Sequence, residues 1–221
     1  MQTMITAHSG CEGTEDNSIA HIQCALCSGV EAFEIDVHPG PDGQFYLSHD
    51  PADSENCVQL STAFSMLRGS KLKINCDLKA HGIEARVLEM ASAWGVGDQL
   101  IFSGSVTPEA MAIPEIRKRT FWNLEEAVPA LYDRYQQGQP PTAEDLQTAL
   151  QVFRKAGASV MNLYYKCCTP ELLEACRSAG ILVSAWTVNE TDEAQRLLDA
   201  GIYNLTTRRP GMVRQLRESL N

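Results

Sequence analysis

The chain has 221 residues, 44% of them hydrophobic and 21% charged, which is enough apolar material for a full core and leaves no case for disorder. A formal net charge of −10, with no basic cluster against it, argues against a nucleic-acid or anionic-membrane surface, so an anionic substrate would need local positive charge. The opening MQTMITAHSG has neither a basic head nor a long apolar run, and no later stretch reaches membrane-spanning length; a cytoplasmic protein without stable membrane insertion is expected.

In chain order, short apolar runs alternate with amphipathic stretches from end to end. Strands are predicted at TMITA, AFEIDV, KLKINCDL, QLIFSG, RTFWNL, SVMNLY, LVSAWTV and YNLTT. After the first, Asn17 or Ser18 can cap a helix that ends near Gly29. Between Trp122 and Ser159 there is room for more than one helix. Further on, Thr169-Pro170 opens a helix that closes at Gly180, and Thr191 opens one that closes at Gly201. Eight strand-then-helix units without a linker indicate one compact (β/α)8 TIM barrel over residues 1–221. The rival, an open doubly wound sheet, would want a glycine-rich phosphate loop early on, and HSGCEGTEDNS is not GxGxxG. The eight cysteines read as reduced thiols filling core space, since CALC and CC lack a second pair at zinc spacing.

A barrel of this kind does its chemistry where the strands end and the βα loops meet. There His8 follows the first strand, Glu34 and Asp36 close the second, Asp77 and Lys79 the third, and Trp186 and Asn189 the seventh. Residues two apart on a strand face the same way, so Glu34 with Asp36, and Asn75 with Asp77 and Lys79, converge on adjacent strands. Three clustered carboxylates repel unless one keeps a proton or a cation joins them, and an all-oxygen set suits one divalent cation, Mg2+ or Ca2+. The plain alternative pairs Lys79 with one carboxylate and leaves the others in solvent. His8 and His49 flank the cluster and could act as general acid and base. His38 is expected to face solvent, and His21 and His81 to lie on helix surfaces.

With these residues in view, the sequence resembles the glycerophosphodiester phosphodiesterase family. Its successive His-Arg-Gly, Glu-Asn-Thr, Glu-x-Asp and His-Asp motifs are similar to HSG, DNS, EID and HD here, in order and at fitting spacing. Its third-strand motif resembles NCDLK, its Trp-Thr-Val-Asn is present as WTVN, and its last strand is similar to GIYNLTTRRP. The resemblance implies a TIM barrel in which Glu34, Asp36 and Asp77 hold one metal ion, Lys79 contacts phosphate, and His8 and His49 are acid and base. It further implies hydrolysis of a small phosphodiester: a neighbouring hydroxyl attacks phosphorus, a cyclic phosphate forms, the alcohol leaves, and water opens the ring.

The departures from that pattern carry their own expectations. Ser9 stands where the family has a phosphate-binding arginine, and Asp77 replaces a longer glutamate that would reach a cation without help. Arg208 occupies an acidic position of the pattern, beside Ser9 in a closed barrel, and either supplies the missing phosphate contact or pairs with a surface acid. Only residues 50–76 separate His49 from Asp77, so most of the small insertion that shapes the family's glycerol pocket is missing. Two other outcomes stay open at this point: a phospholipase D-like lyase that stops at the cyclic phosphate, as in the similar spider-toxin barrels, and a non-catalytic barrel that binds a phosphorylated ligand.

Overall fold

A computed structural model describes residues 2–51 and 55–220; the first and last residues of the span expected as one domain, and residues 52–54, lie outside the described residues. Each of the eight predicted runs contains a parallel strand: β1 (Met4–Ala7), β2 (Ala32–Pro39), β4 (Lys73–Leu78), β5 (Leu100–Gly104), β6 (Phe121–Asn123), β7 (Val160–Tyr164), β8 (Leu182–Trp186) and β9 (Asn204–Thr207). The remaining strand, β3 (Phe45–Leu47), folds back antiparallel on the end of β2, pairing Leu47 with Val37. Around the barrel the order is β5-β4-β2-β1-β9-β8-β7-β6. One bridge closes it, Phe102 to Thr120, with the Phe102 amide donating to the Arg119 carbonyl at 3.0 Å. The fold is a (β/α)8 TIM barrel.

The helices are α1 (Ile19–Cys27), α2 (Leu60–Leu67), α3 (Glu84–Ala93), α4 (Pro108–Met111), α5 (Pro114–Arg117), α6 (Leu124–Ala127), α7 (Pro129–Gln136), α8 (Ala143–Ala156), α9 (Pro170–Ala179), α10 (Thr191–Asp199) and α11 (Pro210–Ser219). Their boundaries follow local chemistry. Ser18, not Asn17, caps α1 by accepting from the His21 amide, which leaves Asn17 available elsewhere. Thr169 caps α9 and left-handed Gly180 ends it. The stretch from Trp122 to Ser159 holds three helices, the last opened by a reciprocal Thr142–Asp145 capping box.

Strand alternation sorts the side chains into two sets. Outward residues such as Ile5, Phe33, Ile35, Ile74, Phe102, Met161 and Leu205 are buried against the helices in the main core. Inward residues form layers. Met4, Ala32, Ile101, Phe121 and Val160 make an apolar floor. Above it the inward positions are polar and buried: Thr6, Glu34, Asn75, Ser103, Asn123, Asn162, Ser184 and Asn204. Buried polar groups persist only when hydrogen-bonded, and a chain of side-chain hydrogen bonds runs through most of this layer. The main core thus lies outside the barrel wall, and the polar interior opens upward into the site.

Candidate active site

A cavity of about 510 Å³ opens at the C-terminal ends of the strands, and His8, Glu34, Asp36, His49, Asp77, Lys79, Trp186 and Arg208 all line it. Direct register between β2 and β4 sets Asp36 opposite Asp77 and Glu34 opposite Asn75. Glu34, Asp36 and Asp77 each offer an oxygen within 4.8 Å of the others, the one such metal-spaced group among the described residues. Asp77 therefore joins the cluster with its shorter side chain and no shift of its strand. The CALC and CC cysteines belong to no such group, and all eight cysteines are free thiols.

Each carboxylate is held from behind. The Ser9 amide donates to Glu34 Oε2 at 3.0 Å. Asn17, in left-handed backbone with φ 55°, grips Asp36 twice: its Nδ2 donates to Asp36 Oδ2 at 2.8 Å, and its Oδ1 accepts from the Asp36 amide at 3.0 Å. The Ser103 hydroxyl donates to Asp77 Oδ1 at 2.7 Å. Lys79 lies between Asp36, 2.8 Å away, and Asp77, to which it also donates. Burial works against the Lys79 charge, but the Asp77 and Asp36 carboxylates outweigh it and hold the ammonium above the usual lysine range. One ammonium cannot balance three carboxylates. Burial raises the Glu34 carboxyl to about 7 against the pull of His8, and the charges of Asp36 and Asp77 add to the rise. Three oriented, partly uncompensated carboxylates with oxygen donors only fit a divalent cation.

His8 Nδ1 is 2.9 Å from the Ser9 carbonyl, which can only accept. The ring therefore carries its proton on Nδ1 in the neutral form, and Nε2 is left with a lone pair. Glu34 Oε2 lies 3.8 Å from the same Nδ1. His49 has 72% of its side chain exposed at the cavity rim, with Asp50 Oδ1 3.3 Å from its Nδ1. Trp186 packs its ring against Tyr164 at 5.8 Å between centroids.

Several expectations change. Ser9, at the position of the family's phosphate-binding arginine, is buried and does not line the cavity; its hydroxyl accepts from the Asn17 amide at 2.6 Å and donates to Asn17 Oδ1 at 3.2 Å. Its small size lets the loop fold in and anchor Asn17. His21, expected on a helix surface, is fully buried on α1, because its Nε2 reaches the Glu34 carbonyl at 3.0 Å; burial lowers its pKa to about 4. His81 lies on the loop before α3, facing Glu126 at 3.2 Å. His38 is half-buried, its Nδ1 3.0 Å from the Pro39 carbonyl. Arg208 reaches the rim and pairs there with Asp16 through two hydrogen bonds, 2.6 and 2.9 Å. Gly10 makes room for that pair: a Cβ there would lie 2.0 Å from Asp16 Oδ1.

Sequence reading missed Asp16, Ser103, Asn123, Asn162 and Glu125, all of which line the cavity. For Ser103, Asn123 and Asn162 a signal existed, since each is a polar residue inside an otherwise apolar strand. Asp16 is the first residue of the DNS motif, whereas Glu125 carries no comparable mark.

Residues 51–212, which include β4 through β9, match a model of the glycerophosphoryl diester phosphodiesterase family. A glycerophosphodiester phosphodiesterase of Caldanaerobacter subterraneus is 20% identical over 95% of this chain and 96% of its own length. Among solved structures, a protein of Agrobacterium tumefaciens assigned as a glycerophosphoryl diester phosphodiesterase superposes with a TM-score of 0.82, at 17% identity, over 100% of this chain and 99% of that one. A phosphodiesterase of Oleispira antarctica, in complex with the product sn-glycerol-3-phosphate, superposes with a TM-score of 0.69, at 16% identity, over 98% and 97% of the two chains. With a family match over most of the chain, a barrel shared along its length and the carboxylate-rich mouth described above, the protein is an enzyme of the glycerophosphoryl diester phosphodiesterase family.

Proposed function

We propose that the protein hydrolyses glycerophosphodiesters to glycerol 3-phosphate and an alcohol, with one divalent cation, Mg2+ or Ca2+, held by Glu34, Asp36 and Asp77. The observation that carries this reading is the convergence of three braced carboxylates, two of them on Lys79, beside a histidine with a free Nε2. The cation would supply positive charge to the non-bridging oxygens of the phosphodiester. Lys79 brings a second positive charge, and Arg208 a third at the rim, its guanidinium already aimed by Asp16.

In this reading His8 Nε2 accepts the proton of a substrate hydroxyl next to the ester, and that oxygen attacks phosphorus. The bond from phosphorus to the alcohol breaks as His49 donates a proton to the departing oxygen. Water then opens the cyclic phosphate, with the two imidazoles exchanging roles. Glu34 near Nδ1 stabilises the imidazolium that His8 becomes. Ser9 acts indirectly, by fixing Glu34 and Asn17, and Trp186 forms a wall of the substrate cavity. Phosphorus NMR of a glycerophosphodiester incubated with the protein should show glycerol 3-phosphate appearing with Mg2+ or Ca2+ and not with EDTA. Equal turnover in EDTA would overturn the metal role; a cyclic phosphate as the sole final product would make the enzyme a lyase.

A further inference from the structure

Two neighbouring strands of the barrel differ in length. β1 stops at Ala7, which pairs with Phe33, and the next amide, that of His8, donates to the Thr207 carbonyl on β9 at 2.8 Å. β2 runs on to Pro39, and β3 joins it only from Val37. Over Glu34 and Asp36, one edge of β2 therefore has no strand beside it among the described residues. The two candidate metal ligands of β2 sit where the ladder is interrupted, and buried backbone groups need partners there as anywhere else.

Residues two apart on a strand turn their backbone groups to the same side, so the Glu34 carbonyl and the Asp36 amide both face the interruption. Carried one step further, the β1–β2 register would bring the Ser9 amide to the Glu34 carbonyl. That amide goes instead to the Glu34 carboxylate, 3.0 Å away, and His21 Nε2 serves the carbonyl in its place, also at 3.0 Å. Asn17 Oδ1 accepts from the Asp36 amide at 3.0 Å. The start of α1 sets both side chains: Asn17 precedes Ser18, whose hydroxyl accepts from the His21 amide at 3.1 Å. Beyond them the Asp36 carbonyl accepts from the Ser48 amide at 3.2 Å, next to β3.

A carbonyl only accepts, so the neutral His21 ring carries its proton on Nε2 and leaves Nδ1 as an acceptor. Nδ1 has no hydrogen-bond partner among the described residues, and the side chain is fully buried. The ring packs edge-on against Phe33, with centroids 6.0 Å apart. An apolar side chain would fill that space without burying an unsatisfied nitrogen, so packing alone does not account for a histidine here. The bond to the Glu34 carbonyl does.

We infer that His21 is a positioning residue of the cation site. By holding the Glu34 carbonyl it frees the Ser9 amide for the Glu34 carboxylate, and with Asn17 it fixes the backbone from Glu34 to Asp36 at the spacing that lets both carboxylates meet one cation. This rests on the cation site proposed above.

The test is calorimetric binding of Mg2+ and Ca2+ to the wild type and three variants. His21→Phe keeps an aromatic ring against Phe33 and has no donor. His21→Asn carries an amide too short to reach the Glu34 carbonyl, and His21→Gln one long enough to reach it. The Phe and Asn variants should bind the cation about 10- to 100-fold more weakly than the wild type, as removal of a group that orients a ligand from behind usually does, and Gln should recover most of the loss. Melting temperatures without metal separate this from packing, which would lower them in all three variants and leave the affinity at its wild-type value. Wild-type affinity in His21→Phe, or an equal fall in the Asn and Gln variants, would overturn the inference. If His21→Phe does not fold, the comparison of Asn with Gln decides alone. A wild type that binds neither cation removes the site and the inference together; a wild type that binds, with all three variants binding as tightly, removes the inference only.

Discussion

Asn17 and Asp36 hold each other by two antiparallel hydrogen bonds, side-chain amide to carboxylate and backbone amide to side-chain carbonyl, at 2.8 and 3.0 Å. An asparagine on one loop thus fixes both the carboxylate angle and the local backbone of a strand residue nineteen positions on. Groups that orient a metal ligand from behind usually contribute about 10- to 100-fold to affinity. Asn17→Ala should therefore weaken Mg2+ or Ca2+ binding by about that factor, measured by calorimetry, with the fold retained. Wild-type affinity in Asn17→Ala would show that β2 positions Asp36 unaided.

The two histidines differ in setting, and their variants should differ in kind. His8 is held by the Ser9 carbonyl and lies near Glu34, while His49 is exposed beside Asp50. Losing a positioned acid or base costs about 10²- to 10⁴-fold in rate, and His8→Ala should fall in that range. His49→Ala should also lose turnover, but less for substrates with an acidic leaving group such as p-nitrophenol, whose anion departs without a proton. Melting temperatures should stay within a few degrees of wild type, since neither ring is packed in the core. Full activity in either variant would remove that residue from the mechanism.

Glu34 couples stability to pH and to metal. Its carboxyl is raised by burial to about 7 from an ordinary 4.5, so its contribution to stability is fully present below about 4.5 and is lost as pH rises through about 7. A cation binds the ionised form and offsets that loss. The rise in melting temperature produced by saturating Mg2+ or Ca2+ should accordingly be small near pH 5 and grow toward about pH 8. A metal-induced shift independent of pH over this window would contradict the assignment of Glu34 as a buried ligand.

At the rim, magnitudes separate two kinds of change. The Asp16–Arg208 pair is 52% and 40% exposed, and such pairs contribute under about 1 kcal/mol, so Asp16→Asn should barely move the melting temperature. It should instead alter KM, because Arg208 loses the partner that aims it. Gly10→Ala is different: φ is 76°, and the new Cβ would lie 2.0 Å from Asp16 Oδ1 and 2.6 Å from Arg208 Nη1. A non-glycine residue in that region costs about 1–3 kcal/mol before any clash is counted, and a drop of several degrees in thermal melting should follow. A Gly10→Ala protein as stable as Asp16→Asn would mean the loop relaxes freely.

The barrel was legible because its evidence is periodic: apolar runs of strand length recur with capped helices between them, and all eight runs became strands. Glu34, Asp36, Asp77 and Lys79 were legible for a related reason, since period-two alternation and adjacent strands dictate convergence. What sequence could not give was commitment of partners. The Ser9 hydroxyl looks like a donor for substrate until the loop is seen to fold back and give it to Asn17. His21 looks like a surface residue of α1 until its ring is seen to pack against Phe33 and reach the Glu34 carbonyl.

The barrel wall is not knit equally all round. Neighbouring strands β4 and β5 share five register pairs, as do β7 and β8, whereas β5 and β6 meet through the single Phe102–Thr120 bridge among the described residues. Opening free energies in a native protein follow such local bonding. Amides along the seam, in β6 and in residues 118–120 before it, should therefore exchange with deuterated solvent well before those of β2, which is flanked by β1 and β4. Ser103 and Gly104 on one side of the seam and Asn123 on the other belong to the cavity wall. Parting at this seam would open the cavity wall beside Ser103 and Asn123 and leave undisturbed the β2–β4 pairing that keeps the three carboxylates together.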